Sequence, residues 1–373
     1  MGAVLPFAGV IARRLGASAE LLALQAVAPF AGFLLAFWVT RIASKMRWSR
    51  LMLLLRVLSW LPLLLMLRIR TPLAFVAFLS LGHLLGATSH AFFHSIFRDN
   101  IRARFRAGIM TIQRVSTMLL ALPLAWLVGK HLDAGAFNFQ VVFFVCALAG
   151  IVLTLPFLQL KPGFSEVQGS AKPPKFSDEW SILKQDHAFR GFMIALFVGT
   201  LGEKIGMPVI PIYFADDLNL RYEEVGLALG VVGPLLAIGG FLFWGWISRR
   251  HDPLVILIWS MLLKALRPAL WALAPALPVP FVLIVVGEGI FRWAVAGLEM
   301  GAVLAVLRFS PPAKGPLYIS IHFTLLGFRG LLGPFIGWGL YRLGMPIPMM
   351  LWLISAIVIT GGVMLLQLWR RNR

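Results

Sequence analysis

Residues 189–229 read FRGFMIALFVGTLGEKIGMPVIPIYFADDLNLRYEEVGLAL. An apolar run long enough to cross a bilayer is followed by a short acidic loop and the start of a second apolar run. The second half of this stretch recurs near the N-terminus. Val209-Ile210-Pro211 matches Val4-Leu5-Pro6, and the run from Leu218 to Val225 matches the run from Leu15 to Leu22. The correspondence continues at an offset of about 205 residues, pairing Pro29 with Pro234, Ile42 with Ile247 and Gly82 with Gly287. A repeat of this length in a hydrophobic chain implies two homologous helical halves. The portion containing Glu203 and Lys204 has its counterpart upstream of Met1, so the N-terminal copy is expected to begin in mid-helix. A misassigned start codon is the simpler explanation. A genuine start would leave a helix too short to cross, and an incomplete wall for another subunit to supply.

Composition supports a membrane protein. The chain is 60% hydrophobic and 13% charged, with mean hydropathy +0.87, whereas soluble domains are about 25% charged. The ten-residue alternating segments of a β-barrel are absent. The net charge of +19 is read as loop topology rather than nucleic-acid binding. The single cysteine, Cys146, lies in an apolar span, which excludes an intramolecular disulfide and argues against a cysteine-based metal site. No Walker A sequence occurs, which argues against ATP hydrolysis by this chain.

The expected organisation is all-α and polytopic. A half-span at Met1–Ile11 is followed by spans near Glu20–Ile42, Leu51–Leu67, Pro72–Phe97, Gly108–Val128 and Phe137–Leu160. Residues 1–160 form one helical bundle, 161–187 a polar linker and 188–373 a second bundle. Spans in the second bundle are expected near Phe189–Phe214, Val225–Ile247, Leu254–Leu273, Val279–Leu307, Leu317–Leu340 and Pro346–Leu368. Lysine and arginine concentrate on the loops around Arg41–Arg50 and Arg98–Arg106, on the linker, on Arg249-Arg250, and at the C-terminus. The opposite loops carry fewer. The positive-inside rule therefore places the linker and the C-terminus in the cytoplasm, and the loop with Asp216, Asp217, Glu223 and Glu224 outside. A bacterial inner membrane is the expected location.

This arrangement resembles the major facilitator superfamily over nearly the whole chain. LPFAGVIARRLGASAELLALQAVAPFAGFLLAFW (5–38) looks like the end of that family's first helix, the outer loop and its second helix. IRARFRAGIMTIQRV (101–115) looks like the entry to the fifth helix. WVTRIASKMRWSR (38–50) keeps the basic residues of the loop signature after helix two but lacks its aspartate, and GWISRRHDP (245–253) is a closer, incomplete copy. Gly333-Pro334-x-x-Gly337 resembles a helix-five motif of drug antiporters, yet falls in the eleventh span. The resemblance implies two pseudosymmetric six-helix bundles, with the first helix only partly present. It also implies that the first, fourth, seventh and tenth helices line a central cavity.

Charges within the spans agree with that assignment. An ionisable residue in hydrocarbon costs at least ~2.5–3.5 kcal/mol and usually faces a cavity or a partner. The fourth span carries His83, His90 and His94, the seventh Glu203 and Lys204, and the tenth Glu288, Arg292 and Glu299. His83, Ala87, His90 and His94 fall on one helical stripe, and Glu288, Arg292, Val295 and Glu299 share the spacing. The repeat pairs His83 with Glu288 and His94 with Glu299. These eight ionisable residues are the candidate substrate- and proton-binding residues. The plainer alternative is that Glu288 and Arg292 pair with each other at i, i+4, and that His94 and Glu299 are gate residues. The histidine stripe also suits a divalent metal path, but without a convergent carboxylate cluster no metal site is assigned. Arg56, Arg114, Lys264, Arg267 and Arg329 form a second tier, either snorkelling or interhelical bonding residues, or an electropositive cavity for an anionic or polar substrate. Gly226/Gly230, Gly297/Gly301 and Gly333/Gly337 read as helix-packing contacts.

The expected function is secondary transport of a small molecule by alternating access, coupled to protons, with no cofactor and no enzymatic activity. The rival readings are a non-transporting relative serving as partner subunit or receptor and, less favoured, an integral-membrane transferase.

Overall fold

The computed structural model describes residues 4–42, 48–100, 103–134, 139–156, 176–311 and 315–371. Side chains are described at these positions except 37–38, 40–42, 48–49, 90–100, 103–111, 113–114, 176–179 and 315–316. The described residues contain helices and no strand, and ten of the helices are long and apolar enough to cross a membrane. This is the all-α membrane architecture expected from the sequence. It follows from a solvent that offers the backbone no hydrogen bonds.

Contacts divide the chain into two compact units, Met1–Pro173 and Pro174–Arg373. The N-terminal unit contains α1 (Leu5–Arg14), α2 (Ala19–Ile42), α3 (Trp48–Leu64), α4 (Pro72–Asn100), α5 (Ala103–Asp133) and α6 (Phe139–Thr154). Helix α4 packs against α2 and α3, α3 against α6, and α1 against α2 and α4. At Gly32 a methyl group would overlap the Leu84 carbonyl, so α2 and α4 meet backbone to backbone.

The C-terminal unit contains α7 (Phe176–Gln185), α8 (His187–Gly206), α9 (Gly233–Ile247), α10 (Pro253–Leu273), α11 (Pro280–Phe309), α12 (Gly315–Arg342) and α13 (Ile347–Arg371). The span begun by α8 continues through a helical turn at Ile210–Ile212 and a widened π-helical turn at Tyr213–Asp217. Pro208 and Pro211 account for the break, since neither can donate to the helical ladder. A second π-helical stretch, Gly226–Val232, precedes α9. Helix α10 packs against α11 and α13, α8 against α12 and α13, and α9 against α11.

The repeat is visible in the backbone. Gly16 (φ 94°) and Asn219 (φ 49°), aligned in the sequence, both adopt the left-handed conformation that favours these residue types. Gly16 closes α1 with bonds from Gly16 N to Arg13 O (2.8 Å) and from Ala17 N to Ala12 O (2.9 Å), which satisfy carbonyls the helix leaves free. At the α7–α8 junction, Asp186 Oδ1 accepts from Phe189 N at 2.9 Å, while Oδ2 accepts from Tyr318 Oη of α12 at 2.8 Å. Asp252 caps α10 through Leu254 N (2.9 Å) and pairs with Arg308 at the end of α11.

Within a bilayer, helices associate through close packing rather than through the hydrophobic effect. The Gly333/Gly337 pair does this for α12. A methyl group at Gly333 would overlap Lys204 backbone atoms, and one at Gly337 would overlap the Ile205 carbonyl. Gly297 likewise admits Ser260 and Trp244, and Gly361 meets Gly199 where α13 crosses α8. Gly339 faces open space. Gly337→Val is therefore expected to destabilise the protein by about 1–3 kcal/mol through overpacking, while Gly339→Ala has little effect. Thermal unfolding of the two purified variants checks this, and equal midpoints would refute the contact.

Candidate functional site

The ionisable residues of the C-terminal unit converge. Glu203, in the last turn of α8, accepts a hydrogen bond from its neighbour Lys204 (Nζ to Oε1, 2.8 Å). Its other oxygen, Oε2, forms an ion pair with Lys264 Nζ of α10, also at 2.8 Å. Lys264 is only 1% exposed. A snorkelling lysine would reach towards water; this one turns inward to a carboxylate.

Glu288 of α11 is fully buried between two guanidiniums. Arg292 donates from Nε to Oε1 at 2.6 Å, and Arg267 of α10 donates from Nη1 to Oε2 at 3.2 Å. The i, i+4 pair with Arg292 is therefore present, and it is half of the arrangement. Arg267 is held by aromatic rings as well, with its guanidinium carbon 3.4 Å from the centre of Phe291 and 4.8 Å from that of Trp271. Such stacking suits a flat, weakly hydrated cation. Trp271 is fixed in turn, donating to Ile284 O at 3.1 Å.

Helix α12 adds Arg329, which is 6% exposed and has no carboxylate in contact among the described residues. Among the described residues, neither its Nε nor Nδ1 of His322, seven residues earlier on the same face and also buried, has a hydrogen-bond partner. Arg329 lies within electrostatic reach of Glu203, Lys264 and His322. Lys204, Lys264, Arg267, Arg292 and Arg329 thus surround Glu203 and Glu288. Glu299, further along α11, is exposed and lies within electrostatic reach of Arg292. Counting all three carboxylates, positive charge remains in excess. Glu203, Lys204 and Arg292 keep part of their surface open, whereas Glu288, Lys264 and Arg329 are sealed. The cluster therefore has a closed base and an accessible edge.

The second-tier residues Lys264, Arg267 and Arg329 belong to this cluster as fully as the first-tier ones. Sequence reading missed His322, although its seven-residue spacing from Arg329 matches that of His83 and His90. In the N-terminal unit, His83 is half-buried in α4, and Arg56 donates to Ser89 Oγ at a long 3.5 Å. The side chains of His90, His94 and Arg114 lie outside the described residues. Among those described, no group of three or more His, Cys, Asp or Glu residues is placed to hold a metal ion.

Comparison with known proteins follows the same lines. A family model described as Major Facilitator Superfamily matches residues 1–291. The chain belongs to the major facilitator superfamily. The matched region reaches through Glu203, Lys264, Arg267 and Glu288; Arg292 and Arg329 lie beyond it. Solved structures of other superfamily transporters share the fold. The nucleoside transporter NupG is 13% identical, with a TM-score of 0.72, covering 99% of this chain and 95% of its own. A POT family transporter in complex with a thioalcohol-conjugated peptide is 14% identical, with a TM-score of 0.73, covering 99% and 92%. A bacterial homologue of the human lysosomal transporter Spinster, inward-facing and occupied, is 14% identical, with a TM-score of 0.65, covering 99% and 92%. At this identity the likeness concerns the fold alone. No curated protein matches the chain by sequence.

Removing one member of a buried ion pair costs about 3–5 kcal/mol, because the remaining charge is stranded. Glu288→Gln takes the carboxylate from Arg267, which is largely buried, and from Arg292, which keeps part of its surface open. Glu203→Gln strands the sealed Lys264 and releases Lys204, which keeps part of its surface open. Glu288→Gln and Glu203→Gln are each expected to lower the thermal midpoint of the purified transporter, and an unchanged midpoint in either would refute its buried ion pairing.

Proposed function

We propose that this superfamily member is a secondary active transporter that carries a small anionic solute by alternating access, with protons as the coupling ion. The observation that supports this most directly is the surplus of buried positive charge around Glu203 and Glu288 near the middle of the spans. Uncompensated cations in a low-dielectric site favour an anionic ligand. Arg292 and Lys204 meet the solute at the accessible edge, and Lys264 and Arg329 supply the field behind them.

Coupling follows from competition. An anion arriving at Lys204 draws that ammonium away from the Glu203 carboxylate, and a carboxylate that loses a cation in such surroundings is more readily neutralised by a proton. Solute and proton then cross together, and the cycle resets when Glu203 loses the proton and recaptures Lys204. His83 offers a second protonatable group in the N-terminal half. Glu288, clamped by two arginines, holds Arg292 and Arg267 in place. The polypeptide acts without a cofactor and is not an enzyme. The charge distribution supports a bacterial inner membrane as its location, with the central linker and C-terminus in the cytoplasm.

The test is proton flux into liposomes containing the purified protein and a pH-sensitive dye, across a panel of monocarboxylates, dicarboxylates and organophosphates. At least one anion is expected to drive proton movement. Arg292→Gln should weaken its apparent affinity about tenfold or more, as expected for one lost charged hydrogen bond. Glu203→Gln should abolish coupling while leaving solute counterflow. Transport confined to cationic or neutral solutes would overturn the anionic assignment. Coupled flux unchanged in Glu203→Gln, Glu288→Gln and Glu299→Gln, each made singly, would overturn carboxylate coupling. Absence of any counterflow would favour the partner-subunit reading.

A further inference from the structure

A second feature of the C-terminal unit stands apart from the charge network. Where α7 meets α8, a groove of about 410 Å³ is walled by Trp180 and Leu183 of α7, Met193, Ile194 and Phe197 of α8, and Leu325 of α12, with Lys184 and Arg190 also among its lining residues. We propose that this groove is a binding site for an anionic phospholipid, with an acyl chain lying along α8 and the phosphate held between Lys184 and Arg190.

The order of residues along α8 carries the argument. Arg190, Met193, Ile194 and Phe197 fall at i, i+3, i+4 and i+7, so they share one face. That face begins with a cation near the start of the span at His187 and stays apolar for the next two turns, about 10 Å at 1.5 Å per residue. A charged end at headgroup depth followed by an apolar slot is the polarity of a phospholipid. It does not suit a peptide, whose backbone would find no hydrogen-bonding groups along the slot. Ile194 is 48% exposed, so the apolar side of the groove is open.

Charge complementarity selects an anionic headgroup. Among the described residues, two cations line the groove and no carboxylate does. Asp186 is close in sequence, but both its oxygens are engaged, one by Phe189 N and the other by Tyr318 Oη. Those two bonds also fix the angle between α7 and α8, so the groove is built into the fold. Arg190 Nη2 lies 2.7 Å from His187 Nδ1, which anchors the guanidinium at the mouth. Lys184 Nζ lies 5.7 Å from the centre of the Trp180 ring. A tryptophan carrying a lysine is an arrangement suited to the headgroup layer, with the ring in the boundary and the ammonium beside the phosphates. Ile182 is buried beneath them and secures α7 to the bundle.

This assignment is independent of which solute is transported. It is tested by native mass spectrometry of the full-length protein in detergent, titrated with phosphatidylglycerol or with phosphatidylcholine of identical acyl chains. Wild type is expected to retain phosphatidylglycerol at about tenfold lower concentration, as two basic contacts imply. Lys184→Gln/Arg190→Gln should lose that preference, and Ile194→Trp should lose both lipids by filling the slot. Size-exclusion elution at the wild-type volume identifies folded variants, and Lys184→Gln alone, at an exposed side chain, serves if the double variant fails that check. Equal retention of the two lipids by wild type would overturn the proposal, as would an undiminished preference in the charge variants.

Discussion

A carboxylate buried in hydrocarbon must bring its own cations, and Glu288 shows how far that requirement reaches. It is fully buried and binds guanidiniums from two helices, so the register of α10 against α11 is fixed by charge as well as by packing. Arg267 reaches Glu288 with its flat head close to the rings of Phe291 and Trp271. Trp271 is held in turn from two sides, donating to the Ile284 carbonyl and accepting at its own carbonyl from the Tyr213 hydroxyl. Tyr213 lies in the π-helical turn beyond the proline break. One ion pair thereby ties the irregular end of a span to the regular middle of two others. Irregular backbone at membrane depth is tolerated where the surrounding protein satisfies it.

Among the described residues, the two halves share their helix packing without sharing this chemistry. Moving back 205 residues from Lys264, Arg267 and Glu288 gives Ser59, Pro62 and His83. Only the last is ionisable. Ser59 turns its hydroxyl onto the Arg56 carbonyl at 2.6 Å, which satisfies it within its own helix. The packing survives where the charge does not. A methyl group at Gly82 would press on the Ser59 carbonyl, and one at the equivalent Gly287 would press on Trp271 and approach the Arg267 backbone. Close approach of the third and fourth helices in each half is thus a property of the repeat. Among the described residues, the network of buried ion pairs lies in the C-terminal copy.

How much of this was legible in the sequence depends on range. Long apolar runs, the repeat and the helix-packing glycines are local or periodic signals, and the structure places Gly297, Gly333 and Gly337 at close helix contacts as their spacing implied. The left-handed turn shared by Gly16 and Asn219 lay within the aligned repeat and was readable in principle. The partners of charges separated by many residues were not. Lys264 and Glu203 are 61 positions apart, and Arg267 and Glu288 lie on different helices. A helical stripe says which face a charge occupies but not which helix faces it. Lys264 and Arg56 therefore looked alike in the sequence, each a cation in a third helix, although one meets a carboxylate at 2.8 Å and the other a serine hydroxyl at 3.5 Å. His322 was missed for a related reason, since a lone histidine in an apolar span gains meaning only beside Arg329.

Charge and packing converge on α12. Arg329, Gly333 and Gly337 lie four residues apart on one face, and the two glycines bring that face onto α8 at Lys204 and Ile205. The contact touches the backbone of the residue whose side chain binds Glu203. Sliding α12 along α8 would drive either glycine out of its gap and pull Lys204 from its carboxylate. Both costs rise together, because bulk at the contact and a stranded charge are each expensive in this medium. The C-terminal unit therefore resists internal shear at the level of its charge cluster. A change of solvent access is more cheaply achieved by moving the unit as a body than by rearranging helices within it, because the same ion pairs that satisfy the buried charges keep that body rigid.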